Sequence, residues 1–474
     1  MDVREAVLKL FSGSVVVAIV EFAAIVGFTR ALGSAAIGSF FVFRAVLGML
    51  GIPVDLGIAK ATEKRLSADE PPGEVIGTAI VVKLALILVA LAGLLLAGPF
   101  VEQYVGVEGI LPLVMLGLLI NQAQRFSLRL MAGQLRVEQN AVLRVLRRLV
   151  WVTAGFALIA LGWGATAIVA AFVLGDIAAI LGALVRLDLV VGWPRLDRAR
   201  DLVSFGRYVF IGDVSGFAYQ WMDVAILRLF VPVSLVGAYE IAWRVASISM
   251  LLTQAIRTSL FPQLSQWYAE DRLDQIEDAF SRWLQVPLYV TIPAFAGAAV
   301  LGREVLGTLF GADVTVAYPV LLVFMLEKIL RSVQLVLGPS LFAMDKPQLG
   351  YRGSAAAIAT NLVLNVTLIP LFGLIGAAVA TTLAATTAAF VSLRYVSSFV
   401  EIEVPWRRVA WSVTSAAVMA GGVVLVTSAV DPGWLQVVLG VGTGVVCYGA
   451  LLLANEGIRL ELRGIIEDYR GSSS

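Results

Sequence analysis

Apolar runs of about 20 residues, each long enough to cross a bilayer as a helix, alternate along this chain with short charged or Gly/Pro-marked breaks. Roughly fourteen such runs are predicted, at 8–31, 36–59, 76–99, 108–131, 140–161, 165–187, 206–230, 234–260, 282–301, 315–341, 350–371, 373–395, 407–429 and 433–455. No break is long enough for a folded extramembrane domain. The longest, FPQLSQWYAEDRLDQIEDAFS at 261–281, reads as an interfacial helix followed by a solvated turn. The opening MDVREAVLKL reads as an amphipathic lead into a retained first helix, since the run behind it is too long for a signal-peptide core.

Composition agrees with the pattern. The chain has 474 residues, 59% hydrophobic and 15% charged, with a mean hydropathy of +0.90. The fold class is therefore an all-α integral membrane protein. A net charge of +1 gives no global field for nucleic acid. Histidine is absent and Cys447 is the lone cysteine, which excludes histidine-based acid/base or metal chemistry and any disulfide within the chain. No GxxxxGK[ST] loop occurs, so ATP hydrolysis is not expected.

Orientation follows from the basic residues. The breaks after the even-numbered runs hold Lys60, Lys64, Arg65, Arg136, Arg195, Arg198, Arg200, Arg272, Lys346, Arg352, Arg407 and Arg408, whereas the alternate breaks are nearly bare. Both termini are thus expected to face the cytoplasm. The main exceptions are Arg30, Arg228 and Arg303; Arg30 and Arg228 end the first and seventh runs at the outer face, where snorkelling explains them.

Two stretches recur. LGSAAIGSFFVFRAVLGML (32–50) and VPVSLVGAYEIAWRVASISM (231–250) each place an arginine, Arg44 or Arg244, six or seven residues after a glycine. GWGATAIVAAF (162–172) corresponds to GLIGAAVATTL (373–383). Six helices separate each pair, so the repeat is parallel, about an axis along the membrane normal. The expected organisation is an N-terminal lobe at 1–190, a cytoplasmic linker at 191–205, a C-terminal lobe at 206–396, and two appended helices with a tail at 397–474. The two six-helix lobes would surround a central cavity.

Charges inside the spans are the candidate chemistry. Each costs roughly 2.5–3.5 kcal/mol at mid-membrane unless paired or hydrated. Arg44 and Arg244 lie about 12–15 Å from the outer ends of their helices, at 1.5 Å per residue. Facing one cavity, they would hold a phosphate or pyrophosphate, for which guanidinium is well shaped. The alternative for Arg244 is an i,i+4 pair with Glu240. Lys328 and Arg331 fall within the tenth run beside Glu327, as cavity residues or as interhelical pairs. Glu21, Asp213 and Asp223 either couple transport to protons or sodium or neutralise a nearby arginine. Asp55 and Lys83 read as a structural pair. Asn361 and Asn365 share one face of the eleventh run and read as interhelical hydrogen-bonding groups, with Pro370 ending that helix and Gly373 permitting a tight turn.

RALGSAAIGSFFVFRAVLGMLGIPVDLGIAKATEKRLS (30–67) resembles the opening signature of the polysaccharide-biosynthesis flippases, the O-antigen and lipid-linked oligosaccharide exporters of the MOP superfamily. NLVLNVTLIPLFGLIGAAVATTLA (361–384) is similar to their late signature, and GAYEIAWRV with FPQLS (237–245, 261–265) to the segment between. The resemblance implies a non-enzymatic membrane transporter. It would move a polyprenyl- or dolichyl-linked saccharide across the cytoplasmic membrane by alternating access. Glycosyltransferases or a polymerase of the same pathway are the implied partners, besides the lipids. No cofactor is expected; the drive would be a proton or sodium gradient or the membrane potential. Two rivals remain. A multidrug or organic-cation antiporter of the same superfamily needs a net acidic site, and a membrane glycosyltransferase or ligase needs acidic residues on a sizeable outer loop.

Overall fold

The computed structural model describes residues 3–68, 70–402 and 406–460. Residues 461–474 of the expected tail and the first two residues of the amphipathic lead lie outside that set. Among the described residues every regular element is a helix. Contacts group the chain into two compact units, Met1–Glu240 and Ile241–Ser474.

The first unit holds α1 (Val3–Asp55), α2 (Ile58–Leu66), α3 (Pro72–Leu96), α4 (Gly98–Val105), α5 (Leu111–Gly133), α6 (Val137–Ala160), α7 (Ala165–Leu184) and α8 (Leu196–Phe230). Helix α9 (Val233–Ser247) begins in it. The second holds α10 (Leu251–Ala269), α11 (Leu273–Trp283), α12 (Leu288–Phe310), α13 (Tyr318–Ala343), α14 (Pro347–Val396), α15 (Trp406–Thr427) and α16 (Trp434–Ala454). Among the described residues, eight stretches are long and apolar enough by composition to span a membrane. Dividing α1 and α14 at their glycine turns, joining α9 to α10 across a short 3-10 turn, and adding the more charged α5, α6, α8 and α13 gives the fourteen rods expected.

Both divided helices are hairpins in which one glycine does the work of a loop. In α1 only Gly33 leaves the helical region (φ 82°, ψ 173°), and in α14 only Gly373 (φ 54°, ψ −125°), conformations that a side chain resists. The arms of α14 lie side by side: Asn361 Nδ2 donates to Thr381 Oγ1 at 3.2 Å, and Asn365 Nδ2 to Asn361 Oδ1 at 3.1 Å. The two amides are the interhelical bonding pair the sequence suggests. Pro370, however, sits inside the helix, and the turn belongs to Gly373 alone.

The second repeat also has a backbone signature. Gly164, before α7, has φ 59° and ψ −139°, close to Gly373. The structural counterpart of Gly373 is therefore Gly164, two residues on from the register that pairs the first glycines of the two stretches.

Two boundaries differ from expectation. Helix α8 starts at Leu196, ten residues before the predicted run, because its charged first turns are held by ion pairs rather than by lipid. The 261–281 segment is helix, turn, helix: α10 continues to Ala269, Asp271 turns with φ 57°, and amphipathic α11 follows. Ile276, Ala279 and Phe280 of α11 are buried against Leu260, Leu264, Leu337 and Leu341. Arg228 has protein partners at this end of the helix. Its Nε and Nη2 donate to the carbonyls of Tyr104 and Gln103 (2.7 and 2.6 Å), satisfying the orphan C-terminal acceptors of α4.

Candidate functional site: a charged cavity in the first unit

A cavity of about 620 Å³ opens among α1, α2, α5, α6 and α8. Helical spacing aims its walls: Gly48, Ile52 and Asp55 follow one another on α1, Arg125 and Arg129 on α5, Asn140 and Arg144 on α6, and Asp213, Phe217 and Trp221 on α8. Lys60 and Glu63 of α2 stand at one end. Four cations and three carboxylates thus line it.

Some of these are neutralised in place. Glu63 Oε2 meets Arg129 Nη1 at 2.7 Å. Asp55 pairs with buried Lys83, which also donates to Gln122 Oε1 at 3.0 Å. The structural pair expected between these two spans is present. By contrast, among the described residues no hydrogen bond or ion pair holds Lys60, Arg125, Arg144 or Asp213. Among the described residues, three free cations against one free carboxylate give the lining an excess of positive charge. In a low-dielectric surround such a space attracts an anion.

Behind the cavity lies a denser charge network. Glu21 Oε1 is 3.6 Å from Arg44 Nη1, and Glu21 Oε2 is 2.7 Å from Arg148 Nη2. The Arg44 guanidinium lies 4.9 Å from the ring centroid of Trp221, 5.5 Å from Phe172 and 5.9 Å from Phe40. Arg44 meets the cavity through Trp221, whose ring is part of the wall. Asp176, 1% exposed, is paired with Arg147 and accepts from Asn121 Nδ2 at 2.9 Å. Asp223 accepts from the Tyr239 hydroxyl at 2.8 Å, and Glu240 is buried.

In the second unit Lys328 Nζ lies 2.6 Å from Glu327 Oε2, both fully buried, with the Trp243 ring 4.9 Å from the ammonium. Arg244 and Arg331 are half-buried. Among the described residues no group of three or more His, Cys, Asp or Glu is placed to hold a metal ion.

Sequence reasoning overlooked Arg125 and Arg144, and with them Arg147 and Arg148. A signal was available: arginines recur at i and i+4 on two successive helices, as 125/129 and 144/148.

The profile of the family described as "Polysaccharide biosynthesis protein" matches residues 28–319, more than half of the chain. The chain belongs to this family. Its opening signature at 30–67 lies inside the match, as the resemblance implied. Among relatives of this chain, the "Probable low-salt glycan biosynthesis flippase Agl15" of Haloferax volcanii is 35% identical over 460 residues, covering 97% of each chain. The "Probable flippase AglR" of the same organism is 32% identical over 429 residues, 89% of this chain and 90% of its own. Among solved structures, "Lipid II flippase MurJ, inward closed conformation" superposes with a TM-score of 0.77 at 13% identity, covering 94% of this chain and 98% of that one. At that identity the likeness is one of fold, and it supports the multi-pass helical architecture assembled above.

Proposed function

We propose that this protein is a flippase that carries a polyprenyl- or dolichyl-(pyro)phosphate-linked saccharide across the cell membrane by alternating access, for assembly of surface polysaccharide or glycoprotein. The observation that carries the reading is the excess, among the described residues lining the cavity, of cations without a hydrogen-bond or ion-pair partner, which suits the phosphate of a lipid carrier. The flippase names of both Haloferax relatives support it. An organic-cation antiporter would need the opposite excess of charge.

In this reading Arg44, Arg244, Lys328 and Arg331 contact the phosphate or sugar at some stage of the cycle. Lys328, 2% exposed here, does so only after its pair with Glu327 opens. Glu21, Asp213, Asp223 and Glu240 balance these cations or couple transport to an ion gradient. The repeat halves at 1–190 and 206–396 act as the two lobes joined by the 191–205 linker, both termini face the cytoplasm, and glycosyltransferases or a polymerase of the same pathway supply and consume the substrate.

The test is outer-leaflet exposure of a labelled lipid-linked saccharide in cells or vesicles. Arg44→Ala, Arg244→Ala and the double variant Arg125→Ala with Arg144→Ala are expected to lower it at least tenfold at normal protein levels. Unchanged exposure in all three would overturn the reading.

A further inference from the structure

The cavity has two chemically distinct walls. Its unpaired cations come from α2, α5 and α6, whereas α8 contributes Gly212, Asp213, Gly216, Phe217, Gln220 and Trp221. These six follow the i, i+4, i+8 pattern of one helix face. That face offers a carboxylate, an amide and two aromatic rings, with no positive charge among them.

The glycines on this face differ from those at helix contacts. At Gly38 and Gly237 a Cβ would strike backbone within 3 Å, so glycine serves helix packing there. At Gly212 and Gly216 a Cβ would meet nothing within 4 Å. A mid-helix glycine lowers helix stability relative to alanine, and here no neighbouring element requires it. What these positions leave is open floor in the cavity between Asp213 and Gln220.

Open floor flanked by a hydroxyl acceptor, an amide and aromatic rings matches a pyranose. The partly positive C–H edges of a sugar ring rest on the negative face of an aromatic, and its hydroxyls need buried donors and acceptors. The Asp213 carboxylate, bonded to nothing among the described residues, accepts from hydroxyls and repels a phosphate or a second carboxylate. The Phe217 ring is fixed by its rest against Gly48 of α1, where a Cβ would come within 3.2 Å of it. A volume of about 620 Å³ holds a ligand of ordinary small-molecule size, not an entire oligosaccharide with its lipid.

We infer that this face of α8 reads the sugar unit attached to the carrier phosphate, that it takes an uncharged pyranose, and that Gly212 and Gly216 are kept small to admit it. The inference rests on the flippase reading: the cationic walls hold phosphate, and α8 holds the first sugar.

Equilibrium binding to the full-length protein in lipid nanodiscs tests it with two probes, a short-chain prenyl phosphate and the same prenyl phosphate bearing one neutral hexose. For the natural chain the hexose is expected to tighten binding about tenfold. In Gly216→Val, whose added carbons enter open space rather than the protein, that ratio falls to near one. Gly216→Ala gives an intermediate ratio, and Asp213→Ala lowers it severalfold. A ratio near one in the natural chain, or a tenfold ratio retained in Gly216→Val, overturns the sugar assignment while the flippase reading stands. Failure of the natural chain to bind either probe overturns both.

Discussion

Gly38 of α1 and Gly237 of α9 are packed reciprocally, backbone to backbone. A Cβ on Gly38 would lie 2.0 Å from the Val233 carbonyl oxygen and 3.0 Å from the Gly237 nitrogen. A Cβ on Gly237 would lie 2.1 Å from the Ser34 carbonyl oxygen and 3.0 Å from the Gly38 nitrogen. Each glycine thus meets the residue four positions before its partner, the relation a two-fold axis produces. The two are also matching glycines of the internal repeat, so the sequence correspondence has a physical contact at its centre.

Alanine at either position is accordingly expected to cost stability, because backbone cannot move aside as a flexible side chain can. An added methyl in a tightly packed seam costs about 1–3 kcal/mol. Gly38→Ala and Gly237→Ala should each lower the thermal midpoint in detergent, and Gly212→Ala, which meets open space, should not. Equal midpoints for all three would remove the packing role.

The helix positions were legible because hydropathy reports span composition directly, and charge or glycine between runs marks most ends. The turns at Gly33 and Gly373 were legible as well, because Gly33 falls in the predicted break between 31 and 36 and Gly373 was the expected tight turn, whereas the role given to Pro370 in ending its helix was not met. The early start of α8 was not legible either. Its first turns are polar and are fixed by residues distant in sequence, with Arg65 Nη2 2.7 Å from Asp201 Oδ1. Of the site, Asp213 was found as an intramembrane charge, but Arg125 and Arg144 were not. An arginine near a helix end reads as an interfacial anchor until the structure shows which face it lines.

Strain and crowding come apart at Gly164. It holds φ 59°, and an added Cβ would meet nothing within 4 Å, so Gly164→Ala acts through backbone strain alone. A cost of about 1–2 kcal/mol is expected, read as a lower unfolding midpoint. Gly162, at φ 84° and equally uncrowded, should respond in the same direction. An unchanged midpoint in both alanine variants would show that the turn relaxes without cost.

Charges at the Lys60 end tie α8 to α2 and α3. Glu70 Oε1 is 2.9 Å from Arg65 Nη1, its other oxygen meets Arg198, and the Gly192 nitrogen donates to the Gly73 carbonyl at 2.8 Å. The hydrogen bond from Arg65, followed by the charges of Arg65 and Arg198, holds the Glu70 carboxyl below its ordinary range. A depressed carboxyl contributes stability that is present above its unfolded pKa, about 4.3, and is lost as pH falls through the folded value. Amide exchange in residues 196–205, taken relative to the intrinsic rate at each pH, should therefore accelerate below about pH 4. In Glu70→Gln it should be faster at neutral pH and change less on acidification. An acid response as large in Glu70→Gln as in the natural chain would assign the linkage to another group.

Lys83 and Asp55 make the sharpest case for charge pairing inside the first unit. Lys83 is 4% exposed, and its ammonium is shared between Asp55 and Gln122. Removing one partner leaves the other charge in a low-dielectric setting, at a cost of about 3–5 kcal/mol, whereas replacing both by apolar groups is often near neutral. Asp55→Leu and Lys83→Met should each reduce the folded yield and the thermal midpoint strongly. The double variant should recover most of the loss, and its coupling energy follows from the mutant cycle. Asp55 also lines the cavity, so the restored protein should remain altered in transport even when its stability returns. A double variant less stable than both singles would show that the pair is not what fixes these helices, and that Gln122, which also donates to the Gly51 carbonyl at 3.4 Å, carries the contact instead.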